Sequence, residues 1–374
     1  MPSAPVPVYS VPRLSLDRLR PLVSTGPRAL LTGVLALGAV VAGRVAGRAA
    51  GSARAARRPL PALAGGVAGT MPLGRHRIAY TMRAGQGTPV VLLPGLSPVA
   101  STHELAPTWA HMVATTTRPV IAADWLGFGH SERPSIRYHA GLYQRQLRHL
   151  LTNVAREPAD IVAWGLAAEV AAAVAVAAPS KVRRLALVAP SGMERGSEGS
   201  VVERLVMGVT GGFGAFSLLH ARRTRREAVR HYYADEVFTT GAPVPDDLVA
   251  DAYAMSNADG AAHAPRRLAE GLLFMDEYAL RSYAAVSCPM LVVVPALTGA
   301  VAPHYDALSD LVAHADGGLL VTRLDTGLLP QWEEPAALHA RLDAFLSGGN
   351  LPPDAVSAPA PPKRRASRKR VQVS

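Results

Sequence analysis

The chain has 374 residues and a formal net charge of +11, with 49% hydrophobic residues, 5% aromatic residues and one cysteine. This length accommodates one large domain or two small ones, and the hydrophobic content is sufficient for a sizeable core. Because Cys288 is the one cysteine, an intramolecular disulfide and a cysteine-based metal cluster are excluded.

The positive charge is concentrated at the two ends of the chain. Residues 1–58 contain nine arginines and one acid, a balance of +8, and residues 350–374 contain six basic residues and one acid, a balance of +5. Residues 59–349 carry the remaining −2. Basic ends are attracted to anionic lipid or to nucleic-acid phosphate, or they are simply solvated. A nucleic-acid role would rest on the tail at 363–370 alone, and we do not predict one.

An uncharged run extends from Ala29 to Gly43, which is shorter than the roughly 20 residues that span a bilayer. If the Arg44 side chain extends so that its guanidinium lies at the membrane surface, the membrane-spanning segment can continue to about Gly47. We therefore predict a membrane helix at about 29–47. Its apolar residues are Leu30, Leu31, Val34, Leu35, Leu37, Val40 and Val41. Small residues recur every four positions, as in closely packed membrane helices: Ala39, Gly43, Gly47 and Gly51.

A cleaved secretory signal and an organelle transit peptide are alternatives for this segment, because it is rich in arginine and nearly free of acids. Four arginines precede the uncharged run and five follow it, which favours a cytoplasmic globular domain. Membrane lipid is accordingly an expected partner.

The rest of the chain divides by composition. Residues 59–74 are rich in proline, glycine and alanine and are interpreted as a linker. A globular part follows at 75–347, and residues 348–374 form a proline-rich, basic tail that is expected to be disordered.

Short apolar runs alternate with helical patterns in the globular part. The runs lie at 90–94, 119–123, 160–164, 184–189, 289–295 and 319–324. Continuous apolar runs of this length are typical of a parallel sheet that is covered on both faces. Helical patterns lie between them, at 166–178 and 336–346 among others. The sequence therefore predicts an α/β fold with a doubly wound, mostly parallel sheet.

Four segments, in order, carry a resemblance to a known family. They are the strand and Pro-Gly loop at 92–98, the Asp-Trp-Leu-Gly-Phe-Gly-His-Ser-Glu-Arg-Pro loop at 124–134, and the segments 177–192 and 328–346. The chain resembles the α/β-hydrolase superfamily, in its epoxide-hydrolase-like and haloperoxidase-like branch. The resemblance implies the α/β-hydrolase fold with a helical cap insertion at about 193–275.

The nucleophile of this family sits in a G-x-S-x-G turn between a strand and a helix. Here that turn reads Ala-Trp-Gly-Leu-Ala at 163–167. In the family a proline commonly lies 14 residues after the serine, and Pro179 lies 14 residues after Gly165. The resemblance thus puts Gly165 at the nucleophile position, where it has no side chain to react.

The other two catalytic positions are altered as well. The resemblance puts Thr298 at the position of the acid and Leu328 at the position of the histidine base. Threonine cannot stabilise an imidazolium, and leucine cannot accept a proton. We therefore expect no catalytic residue at the three standard positions. The backbone N–H groups of Leu96 and Leu166 remain candidate oxyanion donors, and the expected pocket residues are Pro94, Trp164 and Trp125.

A relocated site is an alternative, with Ser97, Ser191, His103 and His130 near the same sheet edge. A serine–histidine pair without a positioned acid is a weak signal. No metal-ligand spacing and no nucleotide-binding loop are present, so no metal and no cofactor are predicted.

Two cap segments have notable composition. Residues 201–219 are apolar and glycine-rich, typical of a packed cap helix or of a surface that meets lipid or a partner protein. Residues 221–233 contain five arginines within ten positions, which indicates a solvated helix face or a headgroup contact.

The leading functional hypothesis is a catalytically inactive, membrane-anchored protein that serves as an accessory or structural subunit of a membrane protein complex. One alternative is a protein that binds an apolar small ligand, a lipid or a pigment, without turnover. The other is a hydrolase with a non-standard active site.

Overall fold

A nine-stranded sheet forms the centre of the molecule. The computed structural model describes residues 62–193, 213–275, 277–295, 305, 307–308, 311–312, 318–349 and 356–357. The strands are β1 (Val67–Leu73), β2 (His76–Arg83), β3 (Val90–Leu93), β4 (Val120–Ala123), β5 (Ala159–Trp164), β6 (Val182–Val188), β7 (Met290–Pro295), β8 (Leu319–Leu324) and β9 (Val356–Ser357). They lie in the order β1-β2-β4-β3-β5-β6-β7-β8-β9.

The pairings from β4 to β8 are all parallel, and the antiparallel pairs lie at the two edges. Every residue of β3, β4, β5 and β7 is buried. Apart from Asp160 near the start of β5, these strands are apolar, because helices cover both faces of the sheet. The six predicted strands and the doubly wound, mostly parallel architecture are confirmed.

Helices pack on both faces of this sheet and over its carboxyl edge. They are α1 (Ala106–Thr115), α2 (Ala140–Leu150), α3 (Ala167–Ala177), α4 (Phe213–Arg223), α5 (Arg226–Tyr232), α6 (Asp246–Ser256), α7 (His263–Ala269), α8 (Glu277–Ala284), α9 (Pro330–Glu333) and α10 (Pro335–Ser347). A 3₁₀ turn at Thr102–Leu105 precedes α1, and α5 continues into a π-helical turn at Tyr233–Val237. The helices predicted at 166–178 and 336–346 correspond to α3 and α10.

Two apolar clusters form the core, one on each face of the sheet. The first joins the sheet to α2, α3 and α8. The second joins it to α1, α10 and the cap helices α5 and α6. The cap helices lie between β6 and β7, so the cap covers the edge at which the parallel strands end.

The edge strands differ from the sequence-based expectation. β1 lies inside the segment 59–74 that was interpreted as a linker, and it pairs with β2 over seven residues. β1 is an exposed edge strand that contains Gly69 and Pro72, so its composition resembles that of a linker although all seven of its residues are in register with β2. β9 similarly lies inside the predicted tail.

The predicted membrane helix at about 29–47, with Leu30, Leu31, Val34, Leu35, Leu37, Val40 and Val41, lies outside the described residues. Of the helices that the structure does describe, none has both the length and the apolar character needed to cross a bilayer.

Candidate active site

The turn between β5 and α3 has the geometry of a nucleophile elbow. Gly165 lies between the two elements with φ of +52°, and its N–H donates to the Val188 carbonyl oxygen at 3.0 Å. Glycine adopts this left-handed conformation without the penalty that other residues incur. Its two chain neighbours aside, no described residue has an atom within 4 Å of a Cβ built on Gly165, so none of the described side chains fills the space above the turn. That Gly165 stands at the nucleophile position stays a prediction from the spacing of the motif.

Two backbone N–H groups flank this space. Leu96 follows β3, and Leu166 precedes the first residue of α3. Neither N–H donates a hydrogen bond to any described residue. The two loops are adjacent, because a Cβ on Gly95 would lie 3.8 Å from the Trp164 carbonyl oxygen. Unpaired N–H groups in this arrangement are suited to bind a carbonyl oxygen that becomes negative.

The loop after β8 is tied to the cap rather than carrying a base. The N–H of Leu328 donates to the Val237 carbonyl oxygen at 2.7 Å, and its half-buried side chain packs on the second core cluster. The Glu333 carboxylate accepts from the N–H groups of Gly327 at 2.7 Å and Thr239 at 2.9 Å. An apolar side chain at Leu328 offers no proton acceptor.

The residues predicted to line a pocket are instead part of the core. The indole of Trp164, a residue 2% exposed, donates to Gln331 Oε1 at 2.9 Å. The indole of Trp125, a residue 1% exposed, donates to the buried Pro94 carbonyl oxygen at 2.8 Å and packs edge-to-face on Tyr143. The pocket prediction for Trp164, Trp125 and Pro94 is therefore not supported, because protein atoms enclose all three.

A group of ionisable residues lies at the same edge of the sheet, beneath the cap, and Asp124 is at its base. Asp124 follows β4, and its carboxylate accepts from the N–H groups of Thr102 at 2.7 Å and His130 at 2.8 Å. Burial raises its pKa, and the nearby His130 opposes that rise. Asp124 thus joins the loops after β3 and β4, which is a structural task.

Glu104 is the most strongly perturbed member of the group. Burial raises the pKa of this carboxyl from 4.5 to about 8, a hydrogen bond from the Tyr233 hydroxyl opposes the rise, and Asp251 and Asp124 add to it. The Tyr233 hydroxyl lies 3.0 Å from Glu104 Oε1. The Glu104 carbonyl oxygen accepts from Gln331 Nε2 at 3.0 Å. At neutral pH Glu104 is mostly protonated, which is unusual for a carboxyl group and typical of functional clefts.

Ser101, Asp251 and His130 meet beside Glu104. The Ser101 hydroxyl donates a short hydrogen bond to Asp251 Oδ2, and His130 Nε2 lies 4.0 Å from Asp251 Oδ1. Ser101 is almost fully buried, whereas the side chains of Asp251 and His130 are 19% and 18% exposed, so the edge of the group reaches solvent. Here the carboxylate, rather than the imidazole, is in contact with the serine hydroxyl.

The residues considered for a relocated site have different surroundings in the structure. Ser191 donates to Glu169 Oε1 at 2.5 Å, away from the histidines. The buried Ser97 hydroxyl lies near the Tyr232 side chain and makes no hydrogen bond of ordinary geometry within the described residues. His103 Nε2 lies 3.6 Å from Asp247 Oδ2. Thr298 lies outside the described residues.

Sequence analysis missed Ser101, Glu104 and Asp251. Asp251 belongs to the cap helix α6 and lies 150 positions after Ser101, so no local pattern links them. Glu104 lies in a turn of mixed composition, Thr-His-Glu-Leu at 102–105, so no local signal marks it either. Among the described residues, no group of three or more histidine, cysteine, aspartate or glutamate side chains is arranged to hold a metal ion.

Comparison with known proteins identifies the family of the chain. A sequence model of the alpha/beta hydrolase family matches residues 90–363. Two curated relatives are 2-hydroxymuconate semialdehyde hydrolases, from Pseudomonas sp. (strain CF600) at 32% identity over 131 residues and from Pseudomonas putida at 34% over 128 residues. Each match covers 32% of this chain and 44% of the relative, so the chain spans less than half of their length.

Solved structures show the same fold. The 2-hydroxy-6-oxo-6-phenylhexa-2,4-dienoate hydrolase from Rhodococcus sp. strain RHA1 superposes with a TM-score of 0.58 at 18% identity, over 75% of this chain and 99% of that one. At this identity the likeness establishes the fold.

These comparisons contradict the leading functional hypothesis. The family is one of hydrolases, and the relatives matched by sequence are hydrolases. The prediction of a catalytically inactive accessory subunit of a membrane complex is therefore wrong, and the comparisons give no support for a membrane anchor. The prediction inferred the loss of activity from the three altered triad positions alone, and the sequence does not reveal which groups the cap brings to the sheet edge.

Proposed function

The chain belongs to the α/β hydrolase family, and from that premise we propose that it is a hydrolase of small carbonyl compounds with a non-standard active site. The observation that carries the proposal is the contact of Ser101 with Asp251, with His130 beside the same carboxylate. This group supplies a hydroxyl nucleophile, a proton acceptor and a positively chargeable neighbour at the sheet edge where the family performs its chemistry.

In the proposed reaction the Ser101 oxygen attacks the substrate carbonyl carbon while its proton moves to the Asp251 carboxylate. The carbonyl oxygen, now negative, is bound by the N–H groups of Leu96 and Leu166. Asp251 then returns the proton to the leaving group, and water hydrolyses the acyl-serine with Asp251 again as the base. Because Glu104 is mostly protonated at neutral pH, it adds little negative charge beside Asp251.

Turnover by the full-length protein tests the proposal. The substrates are a series of short-chain nitrophenyl esters and a 2-hydroxymuconate semialdehyde, chosen from the relatives' names. We expect Ser101→Ala and Asp251→Asn each to lower kcat/KM by about a hundredfold or more. Ser97→Ala, on the same loop, is the matched control and should retain activity. Unchanged turnover in Ser101→Ala would remove the proposed nucleophile.

Binding of an apolar small ligand without turnover is the second candidate. Its support is the space above Gly165, which no described side chain fills, together with the apolar side chain of Leu328. It predicts saturable binding of an apolar fluorophore and no product from any substrate in the series. Turnover that depends on Ser101 would exclude it.

We further propose, from the sequence alone, that residues 1–58 associate with membrane lipid and leave the globular domain on the cytoplasmic side. Fractionation of the full-length protein tests this, with a Leu35→Arg, Val40→Arg double variant for comparison. The wild type should sediment with membranes, and the double variant should be released, because a charge at the centre of a span costs about 2.5–3.5 kcal/mol. Protection of the globular domain from externally added protease should report its side.

A further inference from the structure

A corner of the cap combines exposed leucines with exposed arginines. Leu218 and Leu219, on α4, are 60% and 36% exposed. Scattered exposed leucines are ordinary on a protein surface. These two, however, are followed at once by four exposed arginines, at 222, 223, 225 and 226. We call these six residues the leucine–arginine corner.

The corner is held in place from its buried side. Thr224 is buried, its hydroxyl donates to the His220 carbonyl oxygen at 2.8 Å, and its own carbonyl oxygen accepts from Asn257 Nδ2 at 2.7 Å. His220 Nε2 lies 3.0 Å from the Ser256 carbonyl oxygen. These contacts fix the end of α4 against α6. The leucines and arginines are therefore presented outward by a fixed turn between α4 and α5.

The charge of the corner is unbalanced. None of the described acidic side chains forms an ion pair with the arginines at 222, 223, 225 and 226. Arg230, one turn further along α5, is by contrast paired with Asp246. Glu227 is the adjacent acid, and it is exposed. The corner thus carries at least three net positive charges beside an apolar pair.

The geometry points to an anionic lipid bilayer as the occupant of this corner: we propose that Leu218 and Leu219 enter the boundary between headgroups and acyl chains while the four arginines contact lipid phosphates. Apolar residues flanked by arginine are the pattern of helices that lie in a membrane interface. The long arginine side chains can reach the headgroups while the leucines lie deeper. The contact would place the cap against the membrane, independently of residues 1–58.

The test must separate the corner from the basic ends of the chain, because residues 1–58 and 350–374 also attract anionic vesicles. We would therefore use the full-length chain with Cys288→Ala and attach an environment-sensitive fluorophore at Leu218→Cys. The matched control carries the same fluorophore at Val176→Cys, which is 41% exposed on α3. The vesicles are phosphatidylcholine with and without about one-third phosphatidylserine.

We expect a blue shift at position 218 with the anionic vesicles, none with phosphatidylcholine alone, and none at position 176. Replacing the four arginines by glutamine should weaken vesicle binding, read at position 218, by roughly fivefold for each arginine removed. The proposal is overturned if the protein binds anionic vesicles while the fluorophore at 218 stays in water. It is also overturned if positions 218 and 176 shift equally.

Discussion

The buried carboxyl of Glu104 makes the stability of the protein depend on pH in a direction that is unusual for an acid. Its pKa in the folded state, about 8, is above its ordinary value of 4.5. The folded state therefore binds this proton more tightly than the unfolded state does. The contribution to stability is fully present below about pH 4.5 and is lost as pH rises through about 8.

Each pH unit in this window lowers the free energy of unfolding by up to about 1.4 kcal/mol. By about pH 8 the wild-type protein should have lost on the order of 4 kcal/mol through this one group, as an upper bound. Glu104→Gln keeps the shape and the neutral charge but cannot ionise. The variant should gain stability relative to the wild type as pH rises, by several kcal/mol between about pH 5 and about pH 8.

Urea unfolding, followed by tryptophan fluorescence at several pH values, measures this difference. Glu157→Gln is the matched control, because Glu157 is exposed and the same atoms are exchanged. Its unfolding free energy should follow that of the wild type at every pH. If Glu104→Gln also follows the wild type from about pH 5 to about pH 8, the carboxyl ionises normally and the account of this group is refuted.

Four further substitutions test the packing of the sheet and its loops by their unfolding midpoints. Gly165→Ala should lower the free energy of unfolding only by the strain of a left-handed backbone, about 1–2 kcal/mol. Gly129→Ala, at φ of +50°, should lower it more, because its Cβ would lie 2.2 Å from the Asp124 carboxyl. Equal losses in the two variants would contradict this reasoning. Asp160→Asn removes a fully buried charge that pairs with two arginines and should lower the free energy of unfolding by on the order of 2 kcal/mol. An unchanged unfolding midpoint would show that these ion pairs do not stabilise the fold. Trp164→Phe removes the hydrogen-bond donor to the buried Gln331 Oε1 and should lower the free energy of unfolding by about 1–3 kcal/mol. An unchanged midpoint would show that this oxygen accepts from another donor.

The part of the fold that could be predicted from the sequence is the part that is buried on both faces. β3, β4, β5 and β7 are apolar except for Asp160 near the start of β5, so their composition identifies them. β1 has only one buried residue, Met71, and is stabilised by backbone pairing, which composition does not reveal. For that reason the linker prediction failed where the central sheet succeeded.

Part of the candidate site could likewise be predicted from the sequence, and part could not. Gly165 could be placed at the turn after β5, because a strand, a turn and a helix follow one another locally. The pairing of Ser101 with Asp251 depends on how the cap folds back over the sheet. The raised pKa of Glu104 depends on its complete burial, and Tyr233, whose hydroxyl opposes the rise, lies 129 positions away. Neither property is encoded by residues that are neighbours in the sequence.

The most direct test of the central claim is covalent labelling of the full-length protein with a fluorophosphonate, followed by intact mass and peptide mapping. A nucleophilic serine forms a stable phosphonyl ester with this reagent. We predict a single adduct on the peptide that contains Ser101, absent in Ser101→Ala and strongly slowed in Asp251→Asn. An adduct at a different serine, or no adduct together with no turnover, would contradict the proposed active site.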